Sequence, residues 1–212
     1  MDVVYILGTG TKSKDANLKY SIRSVLENVM DIEKVYIVGE KPAFLKDIKH
    51  IEADDIYNQP WQNEYHKTKK ACFDTELSES FMMMNEDIFI TEKCLASEMP
   101  FYSLKNSNGG NSGMYNFDVN MPMIINKLWY KSMPLEINQK GTFSPRSFYG
   151  NFYRANPRAI QDLVLKRSNN FIEYDSQIVG RMCFATDKEI FKHPMFKKWI
   201  DGLYPQKSRL EI

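Results

Sequence analysis

Two adjacent carboxylates, Glu86 and Asp87, interrupt the most apolar stretch of the sequence, between the runs "FMMM" and "IFI". Carboxylate oxygens at the end of a buried strand are ligands that Mg²⁺ and Mn²⁺ prefer, and these ions are often shared with substrate phosphates. Such an ion would stabilise the negative charge of a departing diphosphate. Acidic pairs also occur in ordinary turns and helix caps. The motif alone therefore predicts either a turn or a Mn²⁺ or Mg²⁺ site.

A second candidate is the sequence Gly8-Thr9-Gly10-Thr11, which follows the first apolar run. The main-chain amides of Thr9, Gly10 and Thr11 would be able to cradle a phosphate in such a loop. The loop lacks both the Gly-Lys-Ser/Thr of a Walker motif and the third glycine of a dinucleotide-binding motif. It is therefore interpreted as either a plain turn or part of a donor-binding site.

Apolar runs and helical patterns alternate along the first 92 residues. The runs "DVVYIL", "KVYIV", "HIEA" and "SFMMM" are short and apolar, which predicts strands, and "NLKYSIRSVLENVM" and "QNEYHKTKKACFDTEL" have helical spacing. This alternation predicts one α/β domain with a mixed, mainly parallel sheet flanked by helices. Ligands of such sheets bind at the carboxyl ends of the strands, where both Gly8 and the Asn85-Glu86-Asp87 group are expected.

The pattern becomes less regular beyond Glu92. The segment 106–116 is rich in Gly, Asn and Ser and predicts a mobile loop, whereas "PMIINKLWYK" and "NPRAIQDLVLKR" are interpreted as helices. The second of these helices would begin at Asn156 and Pro157. No internal repeat or low-complexity tract is present.

Composition, net charge and cysteine spacing limit the classes of protein to which the chain can belong. The chain has 212 residues, of which 43% are hydrophobic and 26% charged, with a net charge of +1, as in globular proteins. Because the basic residues form only short clusters, a sugar or nucleotide ligand is favoured over a nucleic-acid duplex. The cysteines Cys72, Cys94 and Cys183 are widely spaced, which predicts reduced thiols. The sequence shows no leader pattern and no run long enough to cross a bilayer, so we expect a cytoplasmic protein without stable membrane insertion.

Three basic side chains lie where a phosphate contact is possible. Arg23, in "YSIRS", either reaches the donor phosphates or lies on the helix surface. Lys67 and Lys69 precede the acidic motif on a predicted helix, and they either meet a phosphate or ribose or belong to a solvated helix face. Asp118 and Asp175 are the candidates for a general base that would deprotonate an acceptor hydroxyl in a reaction that inverts configuration, although Asp175 would also serve as a helix cap.

Several blocks together resemble the GT-A glycosyltransferases and, more narrowly, the Stealth-type capsular polysaccharide phosphotransferases. They are "DVVYILGTGT", "NLKYSIRSVLENVMDIEKVYIVGEKPAFL" and "LSESFMMMNEDIFIT", followed by "FDVNMPMIINK", "RSFYGNFY", "FATDKEIF" and "KSRLE". The resemblance covers most of the chain and keeps the order of the blocks. It implies a nucleotide-sugar-binding half, residues 1–92, and an acceptor-side half, residues 93–212, within a single domain.

The resemblance also implies roles for individual residues. Asn85, Glu86 and Asp87 match the acidic metal motif of the family, with Glu86 standing where Asp is usual. Asn120 stands where the related pattern often has His. Arg146 lies in a matching block and either holds the acceptor or diphosphate or packs beneath loops. His193 is positioned like the third metal ligand of GT-A enzymes, or is an ordinary loop histidine.

The implied reaction moves a sugar from a nucleotide-sugar donor to a hydroxyl acceptor, with Mn²⁺ or Mg²⁺ as the cofactor and residues 106–113 as a lid. The small size is typical of compact bacterial or viral enzymes. A glycan acceptor is favoured over DNA because the chain is nearly neutral. Transfer of a sugar-1-phosphate is the nearest alternative. A binding module that has lost the chemistry is an alternative of another class, which the departures at Glu86 and Asn120 would fit.

Overall fold

The structure, a computed structural model, describes residues 1–8, 14–104, 114–134, 144–161, 163–166, 174–187 and 189–212. The strands are β1 (Asp2–Ile6), β2 (Val35–Val38), β3 (Lys49–Ile51), β4 (Ser80–Met84), β5 (Ile88–Ile90), β6 (Tyr102–Leu104), β7 (Met123–Asn126), β8 (Arg158–Ile160), β9 (Val164–Leu165) and β10 (Cys183–Thr186). The helices are α1 (Lys14–Asn28), α2 (Pro60–Ala71), α3 (Lys127–Ser132), α4 (Pro145–Phe152), α5 (Tyr174–Ile178) and α6 (Pro194–Leu203), and short 3₁₀ turns lie at Ala96–Glu98 and Ile190–Lys192.

The largest sheet has the strand order β3-β2-β1-β4-β7. Strands β1 to β4 are parallel, and β7 pairs with β4 in the antiparallel direction. In the central strand, Val3 lies beside Val35 on one side and Met82 on the other. The predicted α/β architecture with a mixed, mainly parallel sheet is therefore confirmed.

Side chains of this sheet alternate between two buried faces, as the pleat requires. Val3 and Tyr5 of β1 pack with Leu18, Ile22 and Val25 of α1 on one face. The residues in between pack on the other face, against the aromatic side of α2 and the residues of α3 and α4. That second cluster includes Val4, Ile6, Trp61, Tyr65, Tyr130 and Tyr149. All five residues of β1 are buried because helices cover both faces.

Strand β5 belongs to a second sheet, with the order β5-β10-β9, and one of its edges is covered by α1. Ser21 Oγ donates to the carbonyl of Ile88, Ser24 Oγ accepts from the amide of Ile90, and Asn28 Nδ2 donates to the carbonyl of Ile90. These small polar residues recur at helical spacing on the buried side of α1. They satisfy a strand edge that would otherwise lack main-chain partners.

A third apolar cluster is built from the late elements of the chain. Phe89 of β5 stacks on Phe184 of β10 with ring centroids 4.9 Å apart, and Phe196 and Ile200 of α6 are fully buried in the same cluster. Tyr20 of α1 joins it. Elements from residues 93–212 therefore pack onto residues 1–92 through a shared apolar cluster.

Three predicted helices need correction. The segment "PMIINKLWYK" begins as strand β7 and becomes helix α3 only at Lys127, because the Asn126 side chain accepts the amide of Trp129 and caps the helix. Residues 158–160 and 164–165, predicted as parts of a helix, form β8 and β9, which pair with β6 and β10. Helix α2 ends at Ala71, and Asp74 Oδ1 then accepts the amides of Glu76 and Leu77 in a turn.

The cysteines are free thiols, as predicted. Burial raises the pKa of Cys72 to about 12, so this thiol stays protonated at neutral pH. Within the part of the chain that the structure describes, no helix combines the length and apolar character needed to span a membrane.

Candidate functional site

A polar cleft of about 340 Å³ opens at the carboxyl edge of the large sheet. Its floor is the end of β1, from Ile6 to Gly8, and its walls come from the loop after β3, the first turns of α2 and the turn after β4. The polar residues of the walls include Asp55, Asn58, Asn63, Glu64, Lys67 and Glu86. This is the edge at which the strand order predicts a ligand site.

The acidic motif forms a tight turn that carries the chain from the large sheet into the second sheet. The amide of Ile88 donates to the carbonyl of Asn85 at 3.4 Å, and the amide of Thr186 at the end of β10 donates to the carbonyl of Asp87 at 3.0 Å. Glu86 lies on the wall of the cleft. The Oδ1 atom of Asp87 is shielded from solvent. Of the two predicted ligands, Glu86 is therefore the one found on the described cleft wall.

Lys67 of α2 is the cation of the cleft. Its ammonium donates to the carbonyl of Leu7 and to Oδ1 of Asp55, each at 2.5 Å, and the side chain is only 1% exposed. Lys69 lies on another side of the helix, with its ammonium 3.1 Å from the hydroxyl of Tyr65. Helical spacing thus separates the two predicted donor-binding lysines, and Lys67 is the one that lines the cleft.

Gly39, at the end of β2, approaches the same carbonyl of Leu7. Its φ is +124°, and a Cβ atom at this position would lie 2.3 Å from the Leu7 oxygen. Only glycine fits such a contact without strain. The end of β1 is therefore closely packed against Gly39 after β2, and it accepts a hydrogen bond from Lys67 of α2 at the floor of the cleft.

Arg146 lies beneath the cleft and connects the two halves of the chain. Its side chain is 3% exposed, and Nη1 donates to the carbonyl oxygens of Val119 and Met121 at 3.3 and 2.8 Å. Nη2 donates to Oδ1 of Asn85 at 2.9 Å, and Nε lies 3.5 Å from Oε1 of Glu64. This geometry agrees with the alternative in which the arginine packs beneath loops, and it adds a direct contact with the turn after β4.

Glu64 lines the cleft, and the pKa of its carboxyl group is raised. Burial raises the pKa of its carboxyl, and the charges of Asp118 and Glu86 raise it further, while the nearby Arg146 acts in the opposite direction. Asp118 itself is exposed. The predicted base Asp118 is therefore close enough to act electrostatically on the cleft, and the net effect on Glu64 is a raised pKa.

Two predicted site residues lie elsewhere. Both oxygens of Glu211 accept from Arg23, at 2.7 and 2.8 Å, and Arg23 also donates to the carbonyl of Tyr204. Asp175 accepts a hydrogen bond from Nε1 of Trp199 at 2.8 Å and borders a separate surface depression beside α6. Neither residue is part of the cleft. Arg23 therefore has a structural role in a buried ion pair with Glu211, and Asp175 has a structural role in its contact with Trp199 of α6.

The structure describes the predicted metal ligand His193 but not the predicted donor-binding loop or lid. His193 caps α6, with Nδ1 accepting the amide of Met195 at 3.3 Å, and it is not among the described residues of the cleft wall. The loop residues Thr9, Gly10 and Thr11 and the lid segment 106–113 lie outside the described residues. Their roles stay predictions.

The sequence analysis named Lys67 but missed its neighbours on the polar face of α2 and the loop before the helix. Asn63, Glu64 and Lys67 recur at the spacing of one helical face, and α2 begins at the carboxyl edge of the sheet. Asp55 and Asn58 lie in the loop after β3, where the strand order also predicts ligand contacts. The helical spacing of polar side chains next to a strand end was the available signal.

The residues present suit a metal ion that is shared with a substrate. No group of three or more His, Cys, Asp or Glu side chains converges on one point among the residues that the structure describes. Mg²⁺ is often held by only one or two carboxylates together with substrate phosphates, and Mn²⁺ takes similar oxygen ligands. Glu86 lies on the described wall of the cleft together with the carboxylates of Asp55 and Glu64, whereas Oδ1 of Asp87 is shielded from solvent. Glu86 therefore fits such an ion by its position, and the role of Asp87 stays a prediction.

Comparison with known proteins identifies the fold. No protein-family profile and no curated protein sequence matches the chain. The galactosyltransferase LgtC, solved in complex with donor and acceptor sugar analogues, matches with a TM-score of 0.59 at 10% identity, over 99% of this chain and 97% of that chain. An active-site mutant of LgtC matches with a TM-score of 0.56 at 11% identity, over 99% and 98% of the two chains. The chain thus has the GT-A fold of these glycosyltransferases, as expected from the sequence.

Proposed function

We propose that the protein transfers a sugar from a nucleotide-sugar donor to a hydroxyl acceptor, with Mn²⁺ or Mg²⁺ as its cofactor. The observation that carries this proposal is the polar cleft at the carboxyl edge of the sheet, where Lys67 and Glu86 both line the wall and Lys67 donates to the carbonyl of Leu7 at the end of β1. The fold shared with LgtC supports the reaction class, because that enzyme was solved with donor and acceptor sugar analogues.

In this reaction the bond between the sugar and the diphosphate breaks, and the diphosphate leaves with the bonding electrons. The acceptor oxygen forms the new bond to the sugar and gives its proton to a base. The exposed carboxylate of Asp118, close to Glu64, is the candidate base in the described part of the chain. The ammonium of Lys67 would stabilise the diphosphate oxygens, and the loop with Thr9, Gly10 and Thr11 would contact the donor.

Glu86 and Asp87 would hold the metal ion, which supplies positive charge to the leaving diphosphate when it is bound. A glycan is the proposed acceptor, with DNA less favoured by the nearly neutral chain. A cytoplasmic location and a bacterial or viral origin are part of the same proposal.

Transfer of a sugar-1-phosphate is the second candidate, and the Stealth-like blocks "NLKYSIRS" and "MMMNEDIFI" favour it. The same cleft would bind the donor, but the bond that breaks is the phosphorus–oxygen bond within the diphosphate. The products therefore differ: glycosyl transfer releases a nucleoside diphosphate, and phosphosugar transfer releases a nucleoside monophosphate.

A thermal-shift assay with Mn²⁺ and a panel of nucleoside diphosphates tests the donor site first. We expect at least one nucleotide to raise the melting temperature in a metal-dependent manner, and Lys67→Met to weaken that effect. Lys70→Met is the matched control, because this exposed lysine of the same helix is outside the cleft. If no nucleotide stabilises the protein, the donor-site proposal is wrong and a binding module for another ligand is favoured. If one does, analysis of the released nucleotide distinguishes the two reactions.

A further inference from the structure

Glu64 is held in place from one side and open to the cleft on the other. Its Oε1 is shielded from solvent and faces Nε of Arg146 at 3.5 Å, yet 29% of the side chain remains exposed. Because Glu64 is a residue of the cleft wall, this exposed part faces the cleft. The contacts of Arg146 with Asn85 and with the carbonyl of Met121 fix the guanidinium that holds the carboxylate.

Carboxylates outnumber basic side chains on the described wall of the cleft, where Asp55, Glu64 and Glu86 accompany Lys67. Burial disfavours a negative charge on Glu64 most strongly, Arg146 favours it, and the smaller effects of Asp118 and Glu86 disfavour it further. Lys67, a turn further along α2, is engaged by Asp55. A divalent ion bound at Glu86 and Asp87 would be balanced by the two charges of a nucleoside diphosphate. The part of the cleft beside Glu64 and Asp118 therefore disfavours any additional negative charge.

An ionised carboxylate accepts hydrogen bonds and cannot donate them. Sugar hydroxyl groups are donors that match such an acceptor, whereas the carboxylate of an acidic sugar would face Glu64 as a like charge.

We propose that Glu64 is a specificity-determining residue of the donor site, which accepts hydrogen bonds from the hydroxyl groups of a neutral sugar and excludes acidic sugars such as uronates. Arg146 acts as the positioning residue that orients this carboxylate. The inference rests on the proposed function, since it names the class of sugar that the donor carries.

Binding of matched donors by titration calorimetry in the presence of Mn²⁺ tests this assignment. The probes are UDP-glucose with UDP-glucuronate and GDP-mannose with GDP-mannuronate, and free UDP and GDP serve as references. We expect the wild-type protein to bind the neutral donor of the accepted nucleotide about tenfold more tightly than the acidic one, or better, because like charges would be brought together.

Glu64→Gln keeps the shape of the side chain and an oxygen that faces Arg146, and it removes the charge. We expect the ratio between the affinities of the neutral and acidic donors to fall about fivefold or more in this variant. Asp118→Asn provides a second variant at an exposed position, with a smaller decrease in the same ratio. Glu79→Gln is the control, because this exposed residue directly precedes β4 at the opposite edge of the sheet and should leave the ratio unchanged.

Equal affinity of the wild-type protein for the neutral and acidic donors would overturn the assignment, as would an unchanged ratio in both Glu64→Gln and Asp118→Asn. Binding of free UDP or GDP without discrimination between the sugars contradicts this inference and leaves the proposed function intact. A protein that binds none of the nucleoside diphosphates of the thermal-shift panel contradicts the proposed function and this inference with it.

Discussion

Nη2 of Arg146 donates a hydrogen bond to Oδ1 of Asn85 at 2.9 Å, and this contact joins residues 61 positions apart in the sequence. Asn85 begins the acidic turn, whereas Arg146 belongs to helix α4 in the second half of the chain. The same guanidinium also bonds the carbonyl oxygens of Val119 and Met121. Helix α4, in the second half of the chain, therefore helps to position the turn after β4 through Arg146.

Replacement of Arg146 tests this support. Lysine keeps the positive charge but lacks the planar arrangement of donors, so Arg146→Lys leaves buried carbonyl oxygens without their partner. We expect a loss of about 1–3 kcal/mol in the free energy of unfolding, measured by urea denaturation, and a weaker response to Mn²⁺ with nucleotide. Arg158→Lys, at an exposed position of β8, should change neither quantity. Wild-type stability in Arg146→Lys would show that the contacts contribute little.

Removal of the acidic side chains tests the proposed metal ligands. Glu86→Ala and Asp87→Ala should each abolish the increase in melting temperature that Mn²⁺ and a nucleoside diphosphate produce together, because each removes an oxygen ligand. Glu92→Ala, an exposed carboxylate a few residues further along the chain, should keep the full increase. An undiminished metal response in either of the first two variants would exclude that residue as a ligand.

The buried pair of Arg23 and Glu211 predicts a dependence of stability on pH. Burial acts to raise the pKa of the Glu211 carboxyl, but hydrogen bonds from Arg23 and Ser208 outweigh it and hold this pKa below its ordinary value. The pair therefore contributes its full stability above the pKa of an unfolded glutamate, and this contribution is lost as the pH falls through the lower pKa of the folded protein.

Arg23→Met leaves Glu211 buried without its partner, and we expect the free energy of unfolding at neutral pH to fall by about 3 kcal/mol. Because Arg23 is outside the cleft, nucleotide binding to the folded variant should stay at the wild-type level. Arg23→Met combined with Glu211→Leu should restore much of the stability and remove this acid-dependent part. Weaker nucleotide binding in the folded single variant would instead support the predicted contact with the donor phosphates.

Because Gly39 lies close to the carbonyl oxygen of Leu7, we expect that any side chain at position 39 destabilises the fold. Gly39→Ala would force Cβ to 2.3 Å from a main-chain oxygen at a φ of +124°, and we expect a destabilisation of about 1–3 kcal/mol. Gly202→Ala is a suitable comparison, because nothing lies within 4 Å of its added Cβ and α6 should gain about 0.5–1 kcal/mol. Thermal unfolding of both variants measures the contrast, and equal stability would contradict the crowded geometry.

The first half of the fold was predictable because its signals are local. The apolar run of β1 and the helical spacing of α1 each specify an element without reference to distant residues, and the parallel direction of the first strands follows from their alternation. Strands β8 and β9 were missed because each is very short and depends on pairing with distant partners. Such pairing overrides the helix propensity of "NPRAIQDLVLKR".

The site was only partly predictable for the same reason. The rule that ligands bind at carboxyl strand ends brings Gly8 and Glu86 to one edge of the sheet, and both residues line the cleft there. The ion pair of Arg23 could not be foreseen, because Glu211 is 188 positions away in the sequence. The importance of Glu64 depends on Arg146 and Asp118, which only the folded chain places beside it.

The acidic turn belongs to two sheets at once, since β4 ends just before it in the large sheet and β5 begins just after it in the second. Phe89, two residues after Asp87, stacks on Phe184 of β10 with ring centroids 4.9 Å apart, so the position of the turn depends on packing between strands from both halves of the chain. A substitution that leaves a cavity at this ring stack is therefore expected to displace the acidic turn, although neither ring lines the cleft.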